Sequence, residues 1–324
     1  MKKNIAVIMG GYSSEYEISI KSGNVVYKHI DKNNYNAYCV HILKNKWVVL
    51  SNGKEFTVNK HDFSATINGT YLKFDFVFNV IHGTPGEDGA ILAYFDLLNI
   101  PYSSAPFYQM ALTFNKRDCL SVAKNYGIHT ATSYYLNKGD TFETENIIKK
   151  VGIPCFVKPN NAGSSFGISK VNAIEEFLPA LETAFKEDSE ILIESFLDGI
   201  EVSVGVIQYH NEIKVLPITE IVSENDFFDY EAKYLGKSKE ITPARISEVQ
   251  KENVSKAAKH IYKSLNMSGF SRSEFIFIGD TPYFIEMNTV PGMTEASLLP
   301  QQAQIAGISL QDLFTDTIKR SLKY

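Results

Sequence analysis

The sequence predicts an α/β protein that opens with a doubly wound parallel sheet, and three observations carry that prediction. Two short, largely apolar runs, residues 5–9 (IAVIM) and 75–81 (DFVFNVI), each end in a glycine-bearing loop. Helix-compatible sequence follows each loop. A strand buried on both faces reads as such a run rather than as an alternation. Strand, loop and helix in repetition is the order of a parallel sheet with crossover helices. In such sheets ligands sit beyond the carboxyl ends of the strands. The loops at 10–15 and 82–89 are therefore candidate ligand loops.

The elements follow in order. After the first strand, Ile18, Val25, Val26 and Ile30 share one helical stripe. Residues 38–43 form a second strand, and 47–50 pair with it as a small hairpin. A third strand at 75–81 leads through its loop into a helix ending at Leu98. Pro101 and Pro106 mark a first boundary. From Gln109 one helix carries Lys116 and Arg117 and ends near Gly127. Residues 153–157 (IPCFV) and 168–171 pair over the loop 158–167. A helix at 174–186 and a strand at 190–195 (EILIES) reach the second boundary. Residues 202–208 and 213–218 read as an antiparallel pair. The polar, aromatic stretch 223–240 is long for an idle connection and reads as a lid. A helix at 247–265, strands at 275–278 and 283–287, and a helix at 310–322 complete the chain. The expected units are 1–104, 105–193 and 194–324.

Composition excludes several classes. With 44% hydrophobic residues among 324, the chain can bury sizeable cores and is too apolar for disorder. Lys and Arg total 32 against 37 Asp and Glu, a net charge of −5 without the basic stripe that nucleic acid requires. Cys39, Cys119 and Cys155 are far apart, form no CxxC pair and read as buried hydrophobes. The first apolar run stops at Gly10-Gly11, too short for a signal peptide, and no run approaches a membrane span. A soluble, reduced, cytoplasmic protein is expected.

Four segments carry chemistry. Gly10-Gly11 invites a dinucleotide reading, but the third glycine of that fingerprint is missing. Glu15 at the helix start suits either a cap or a substrate ammonium. In the loop 158–167, Gly163 with the serines Ser164 and Ser165 beside it lets backbone N–H groups and hydroxyls crowd a phosphate, with Lys158 as a point charge. The plain alternative is an ordinary hairpin. Arg272 and Glu274 project from one face of a strand, as do Glu286 and Asn288. Two carboxylates and an amide are the hard oxygen ligands Mg²⁺ takes when it also holds nucleotide phosphates. A solvated face with balanced charges is the alternative. Gly292 with Ser297 and Leu298 can hold an oxyanion or carboxylate, and His82 is a substrate contact or a polar loop residue.

Taken in order, these segments resemble the D-alanine–D-alanine ligase family of the ATP-grasp superfamily. The matching pieces are GGYSSEYEIS at 10–19, VIHGTPGEDG at 80–89, Lys116, VKPNNAGSSFGISKV at 157–171, IESFLDGIEVSV at 193–204, DYEAKYL at 229–235, and RSEF with FIEMNTVPGMTEASLLP within 272–300. The resemblance implies an ATP-grasp fold behind the N-terminal sheet, with the lid at about 223–240. It implies ligation of two D-alanines through a D-alanyl phosphate, releasing ADP and phosphate, for peptidoglycan precursors. Glu15 would hold the first ammonium, with His82 beside its carboxylate. Lys116 and Lys158 would contact the ATP phosphates, and Lys233 the γ-phosphate. Glu194, Phe196 and Leu197 would frame the adenine, and Glu201 would take the ribose hydroxyls. Glu274, Glu286 and Asn288 would bind two Mg²⁺, with Mn²⁺ an acceptable substitute. Arg272 and the Gly292 N–H would stabilise the oxyanion, and Ser297 and Leu298 would receive the second carboxylate. Ser164 and Tyr234 would hydrogen-bond with Glu15 and close the lid. A homodimer follows from family habit.

The chain departs from the family pattern at Glu274, where Asp is usual, and at Tyr16, Ser195 and Phe166. Tyr234, where ester-forming relatives generally carry His, favours the dipeptide over D-alanyl-D-lactate. Three other readings stay open on the residues. They are an ATP-grasp ligase for a different acid, a nucleotide-binding regulatory protein without catalysis, and a nicotinamide-dependent dehydrogenase.

Overall fold

The protein is described here by a computed structural model, which covers residues 2–161, 163, 166–223 and 238–322. Among the described residues it is an α/β molecule built on three sheets in chain order. Ser164, Lys233, Tyr234 and nearly all of the expected lid lie outside the described residues. Among the described residues no helix is long and apolar enough to cross a membrane.

The first sheet has seven strands, and its centre is Lys3–Gly10. That strand pairs in parallel with Tyr35–Ile42 on one side and Phe76–Asn79 on the other. This is the doubly wound core read from the apolar runs. Trp47–Ser51 returns antiparallel to Tyr35–Ile42, as the hairpin expectation had it. Lys54–Asn59, Ser64–Ile67 and Thr70–Lys73 then extend the sheet as a meander absent from the sequence reading. Its signal was Asn52-Gly53 and Asn68-Gly69, all four at positive φ, the turn that a two-residue hairpin requires.

The helix Tyr16–His29 lies on this sheet through small residues. Ser19, Ser22, Gly23 and Val26 are buried, whereas Ile18 and Val25 are only half-buried. The expected stripe holds at Val26 and Ile30 and fails at Ile18 and Val25. A Cβ at Gly23 would lie 2.7 Å from Met9 Cε, so helix and strand are too close for branched side chains there. The C-terminal helix Leu310–Ser321 shares this core: the rings of Phe314 and Phe78 stand edge to face at 5.1 Å.

The helix expected from Gln109 to Gly127 is two helices, Phe107–Phe114 and Lys116–Asn125. Asn115 between them is extended, and its side chain accepts from Asp118 N at 3.0 Å. An N-cap of this kind satisfies one of the unpaired first-turn donors and starts a new helix at Lys116. Arg117 N donates to Asn160 Oδ1 at 2.9 Å, tying that start to the loop after Lys158.

The second sheet is antiparallel, with Ser133–Asn137, Cys155–Pro159, Ser169–Val171 and Glu190–Ser195. The hairpin over the loop 158–167 is present. Ser133–Asn137 and the helix Thr144–Val151 had no counterpart in the sequence reading. The third sheet runs Ser238–Ile241, Thr219–Ser223, Ile200–Tyr209, Phe270–Ile278, Thr281–Asn288, with Glu212–Val215 also on Ile200–Tyr209. The helix Glu248–Ser264, started by a Ser247–Gln250 capping box, buries Val254, Ala258, Ile261 and Tyr262.

Candidate active site

Short loops of the first sheet are laced together by their own hydroxyls. Ser19 Oγ accepts from Gly10 N at 2.9 Å and donates to Val80 O at 2.6 Å. Ser13 Oγ donates to His82 O at 2.9 Å, and Tyr12 N donates to Thr84 O at 2.8 Å. Glu15 and His82, far apart in sequence, thus become neighbours. Gly163 closes over them from the second sheet, where an added Cβ would lie 2.8 Å from Glu15 Oε2.

Register builds the rest on the third sheet. Arg272 pairs with Asn288, and Glu274 with Glu286, on adjacent antiparallel strands. Paired residues project from the same face, so four polar side chains form a square. A β-bulge after Glu274 ends this register. Arg272 Nη1 hydrogen-bonds Glu274 Oε1 and donates to Ser203 Oγ at 3.2 Å. Asn288 Oδ1 accepts from Val290 N at 3.0 Å, which orients the amide.

Two cavities meet at that square. One, of about 360 Å³, is lined by Glu15, His82, Arg272, Asn288, Gly292, Ser297 and Leu298, together with Ile18, Lys21, Glu240, Thr294 and Ala296. The other, of about 90 Å³, is lined by Lys116, Lys158, Glu194, Leu197, Glu201, Glu274 and Glu286. Its remaining walls are Ala131, Phe156, Ile168, Ser195, Ile276 and Ile285. Every described candidate residue but one lines one of the two. Phe196 is the exception. Its ring lies beside Phe156 at 6.1 Å under the Lys170 ammonium. Phe156 takes the lining position because it alternates with buried Cys155 and Val157 along the strand, sharing a face with Lys158.

The charges are paired across the cleft. Lys158 Nζ lies 2.8 Å from Glu194 Oε2, and Lys116 Nζ lies 3.4 Å from Glu286 Oε2. Burial pulls the Lys158 ammonium down, but Glu194, aided by Glu286 and Glu201, outweighs it, so its pKa is raised and it stays charged. Glu194 is 2% exposed, and its second oxygen, Oε1, has no hydrogen-bond partner among the described residues. His82 is also buried, with Nε2 unpartnered among the described residues. Burial lowers its pKa, Arg272 adds to that, and Glu15 opposes it, so the ring is neutral. Buried polar atoms left unpaired in a cleft are groups awaiting a ligand. Glu87 accepts from Gly83 N at 3.0 Å, and burial with the nearby Glu15 pushes its carboxyl to about 8.

Sequence reasoning missed the apolar walls Phe156, Ile168, Ile276 and Ile285, and the charged Lys21, Glu87 and Glu240. Alternation pointed to Phe156 and Ile276; for Glu240 the signal lay in a pairing the sequence does not display.

Residues 4–105 match the family model described as D-ala D-ala ligase N-terminus, and 122–319 match D-ala D-ala ligase C-terminus. A D-alanine–D-alanine ligase of Flavobacterium johnsoniae is 65% identical over 321 residues, covering 99% of both chains. A D-alanine–D-alanine ligase from Bacillus anthracis, solved in complex with ATP, superposes with a TM-score of 0.80 at 31% identity, covering 99% of this chain and 98% of that one. The VanG D-Ala:D-Ser ligase from Enterococcus faecalis gives 0.86 at 31% identity, covering 98% and 99%. With two matched models and near-complete coverage, the chain belongs to the D-alanine–D-alanine ligase family and has its ATP-grasp fold.

Proposed function

We propose that the protein joins two D-alanines into D-alanyl-D-alanine at the expense of ATP, through a D-alanyl phosphate. The observation that carries the reading is the square of Arg272, Glu274, Glu286 and Asn288 standing between two cavities. One cavity has lysines, carboxylates and apolar walls suited to a nucleotide. The other has Glu15, Ser297 and Leu298 suited to amino acids. A phosphoryl group passing between them crosses the square.

A carboxylate acylates poorly because its leaving group would be oxide. Attack of the first D-alanine carboxylate on the γ-phosphorus releases ADP and gives an acyl phosphate. The second amine then attacks the carbonyl carbon, and phosphate departs. Lys116 and Lys158 neutralise the phosphates. Arg272 and the Gly292 N–H face the developing oxyanion. Glu15 fixes the first ammonium, and neutral His82 offers Nε2 to the first carboxylate. Glu194 Oε1, unpaired and buried, suits the exocyclic amine of adenine, with Phe156, Ile276 and Leu197 against the ring and Glu201 on the ribose. Phe196 then acts behind Phe156.

The donor set fits divalent metal. Glu274, Glu286 and Asn288 offer carboxylate and amide oxygens on one face, the ligands of Mg²⁺. Two Mg²⁺ held there, or Mn²⁺ in their place, would supply charge neutralisation at the β- and γ-phosphates. Ser164, Lys233 and Tyr234 enter by resemblance alone, as groups that seal the site from water.

The division between the last two units falls best after Ser195. Position 193 lies inside a strand that pairs on both sides within the second sheet. A homodimer is supported by exposed Leu97, Phe107 and Tyr108 on Ala90–Leu97 and Phe107–Phe114, two helices in contact with each other. A peptidoglycan role in the cytoplasm follows from the reaction.

The test is incubation with ATP, Mg²⁺ and either D- or L-alanine, with D-serine and D-lactate as competing acceptors, followed by mass detection. D-alanyl-D-alanine as the main product from D-alanine alone is expected. Phosphate release independent of D-alanine, or preference for D-lactate at neutral pH, would overturn the reading.

A further inference from the structure

Glu240 stands on the edge strand of the third sheet, and register fixes its face. It pairs with Ile221, Ile221 with Glu201, and Glu201 with Ile276. Directly paired residues share a face, so Glu240 belongs to the same surface as Glu274 and Arg272, two and four positions before Ile276. Ile221 packs against Leu298, which brings this edge to the start of the helix Leu298–Ile305. Glu240 accordingly lines the larger cavity with Ser297, Leu298 and Arg272.

We propose that the Glu240 carboxylate is a specificity-determining group that receives the ammonium of the second amino acid. The inference deepens the ligase reading above and rests on it. Two amino acids bring two ammonium groups into this cavity. Among its described lining residues the acids are Glu15 and Glu240, and the bases are Lys21 and Arg272. Glu15, under Gly163 and beside His82, is committed to the first substrate. The second ammonium is left with Glu240, while the helix start at Ser297 and Leu298 takes the carboxylate. Burial raises the Glu240 pKa, and Arg272 opposes that shift. A partly desolvated carboxylate gains more from a cation than an exposed one does. A hydroxy acid brings no cation and leaves Glu240 unmatched, so this residue selects an amine acceptor over D-lactate.

The test compares wild type, Glu240→Gln and Glu240→Asp with ATP, Mg²⁺ and D-alanine, with and without hydroxylamine. Hydroxylamine is uncharged at neutral pH and traps the acyl phosphate as D-alanyl hydroxamate without needing an ammonium site. In Glu240→Gln the KM for the second D-alanine rises about tenfold or more, the size of one lost charge-assisted hydrogen bond. The ratio of dipeptide to hydroxamate falls by a similar factor, the D-lactate share rises in competition, and Glu240→Asp recovers part of each. An unchanged second KM and ratio would overturn the proposal. So would a parallel loss of both products, which marks a structural role. Wild type that makes neither product would instead remove the ligase reading, and this role with it.

Discussion

Glu274 and Glu286 stand directly opposite each other on paired antiparallel strands, with Arg272 opposite Asn288 two residues along. Two carboxylates so placed repel unless cations intervene. Arg272 answers Glu274, and Lys116 answers Glu286. Phosphate and metal would bind by rearranging charges already balanced, which spares the empty cleft an uncompensated buried charge.

That pairing makes Glu274 more than a longer aspartate. Glu274→Asp restores the usual family residue, yet it withdraws the carboxylate from Arg272 by one methylene. D-alanine-dependent ADP release is expected to fall about tenfold, the value of one charge-assisted hydrogen bond. Full activity would show that the Arg272 contact is dispensable.

Glu15 lines the larger cavity and not the narrower one. Glu15→Gln is expected to lower dipeptide formation by about a hundredfold, the scale of a lost charged contact in a closed site. ATP affinity, followed by fluorescence or calorimetry, should stay close to wild type because Glu15 lines only the other cavity. Equal loss of both would contradict the division of labour.

Phe156 lines the narrower cavity, and Phe196 stands behind it. Phe156→Ala should weaken ATP binding about tenfold, from roughly 1.5 kcal/mol of lost apolar contact. Phe196→Ala should do less. The reverse order in titration would restore Phe196 to the adenine.

Glu87 gives a pH signature in the metal-free protein. Its folded pKa, about 8, lies above its ordinary value of 4.5, chiefly through burial and then Glu15. The native state therefore holds the proton more tightly than the unfolded chain. The stability this contributes is complete below the ordinary value and lost as pH rises through about 8. Glu87→Gln cannot ionise there, so between about pH 4.5 and 8 the wild-type Tm should fall relative to the variant and then level off. Parallel melting curves across that range would refute the shift.

Gly23 is where the first helix touches its sheet. Gly23→Ala adds a carbon within 2.8 Å of Met9 Cβ, which lies too near the backbone to move freely. A loss of about 1–2 kcal/mol is expected despite the better helix propensity of alanine. Denaturant melts would measure it, and pairing with Met9→Ala should return part of the loss.

Some of the site was legible because its residues announce their spacing. Arg272, Glu274, Glu286 and Asn288 follow strand alternation, and Lys158 precedes a glycine loop. Asn115 was not legible as a helix break, because Asn is tolerated inside helices and only its capping of Asp118 shows the stop. Phe196 sits in the recognisable segment, but the pleat turns Phe156 to the cleft. The strands between Lys54 and Lys73 are short, only Lys54–Asn59 alternates clearly through Phe56 and Val58, and the Asn-Gly turns are the stronger signal.

Local pattern thus decided what is local: the parallel core around the first strand, the loops after it, the alternating faces of the last two strands and the motif order that marks the family. Folding decided everything that depends on which strands become neighbours. It put Gly163 over Glu15, set Glu240 on the Arg272 face, and buried Phe314 beside Phe78. Periodicity specifies which way a side chain points from its own strand or helix. Long-range pairing and the packing of distant cores specify what it meets there.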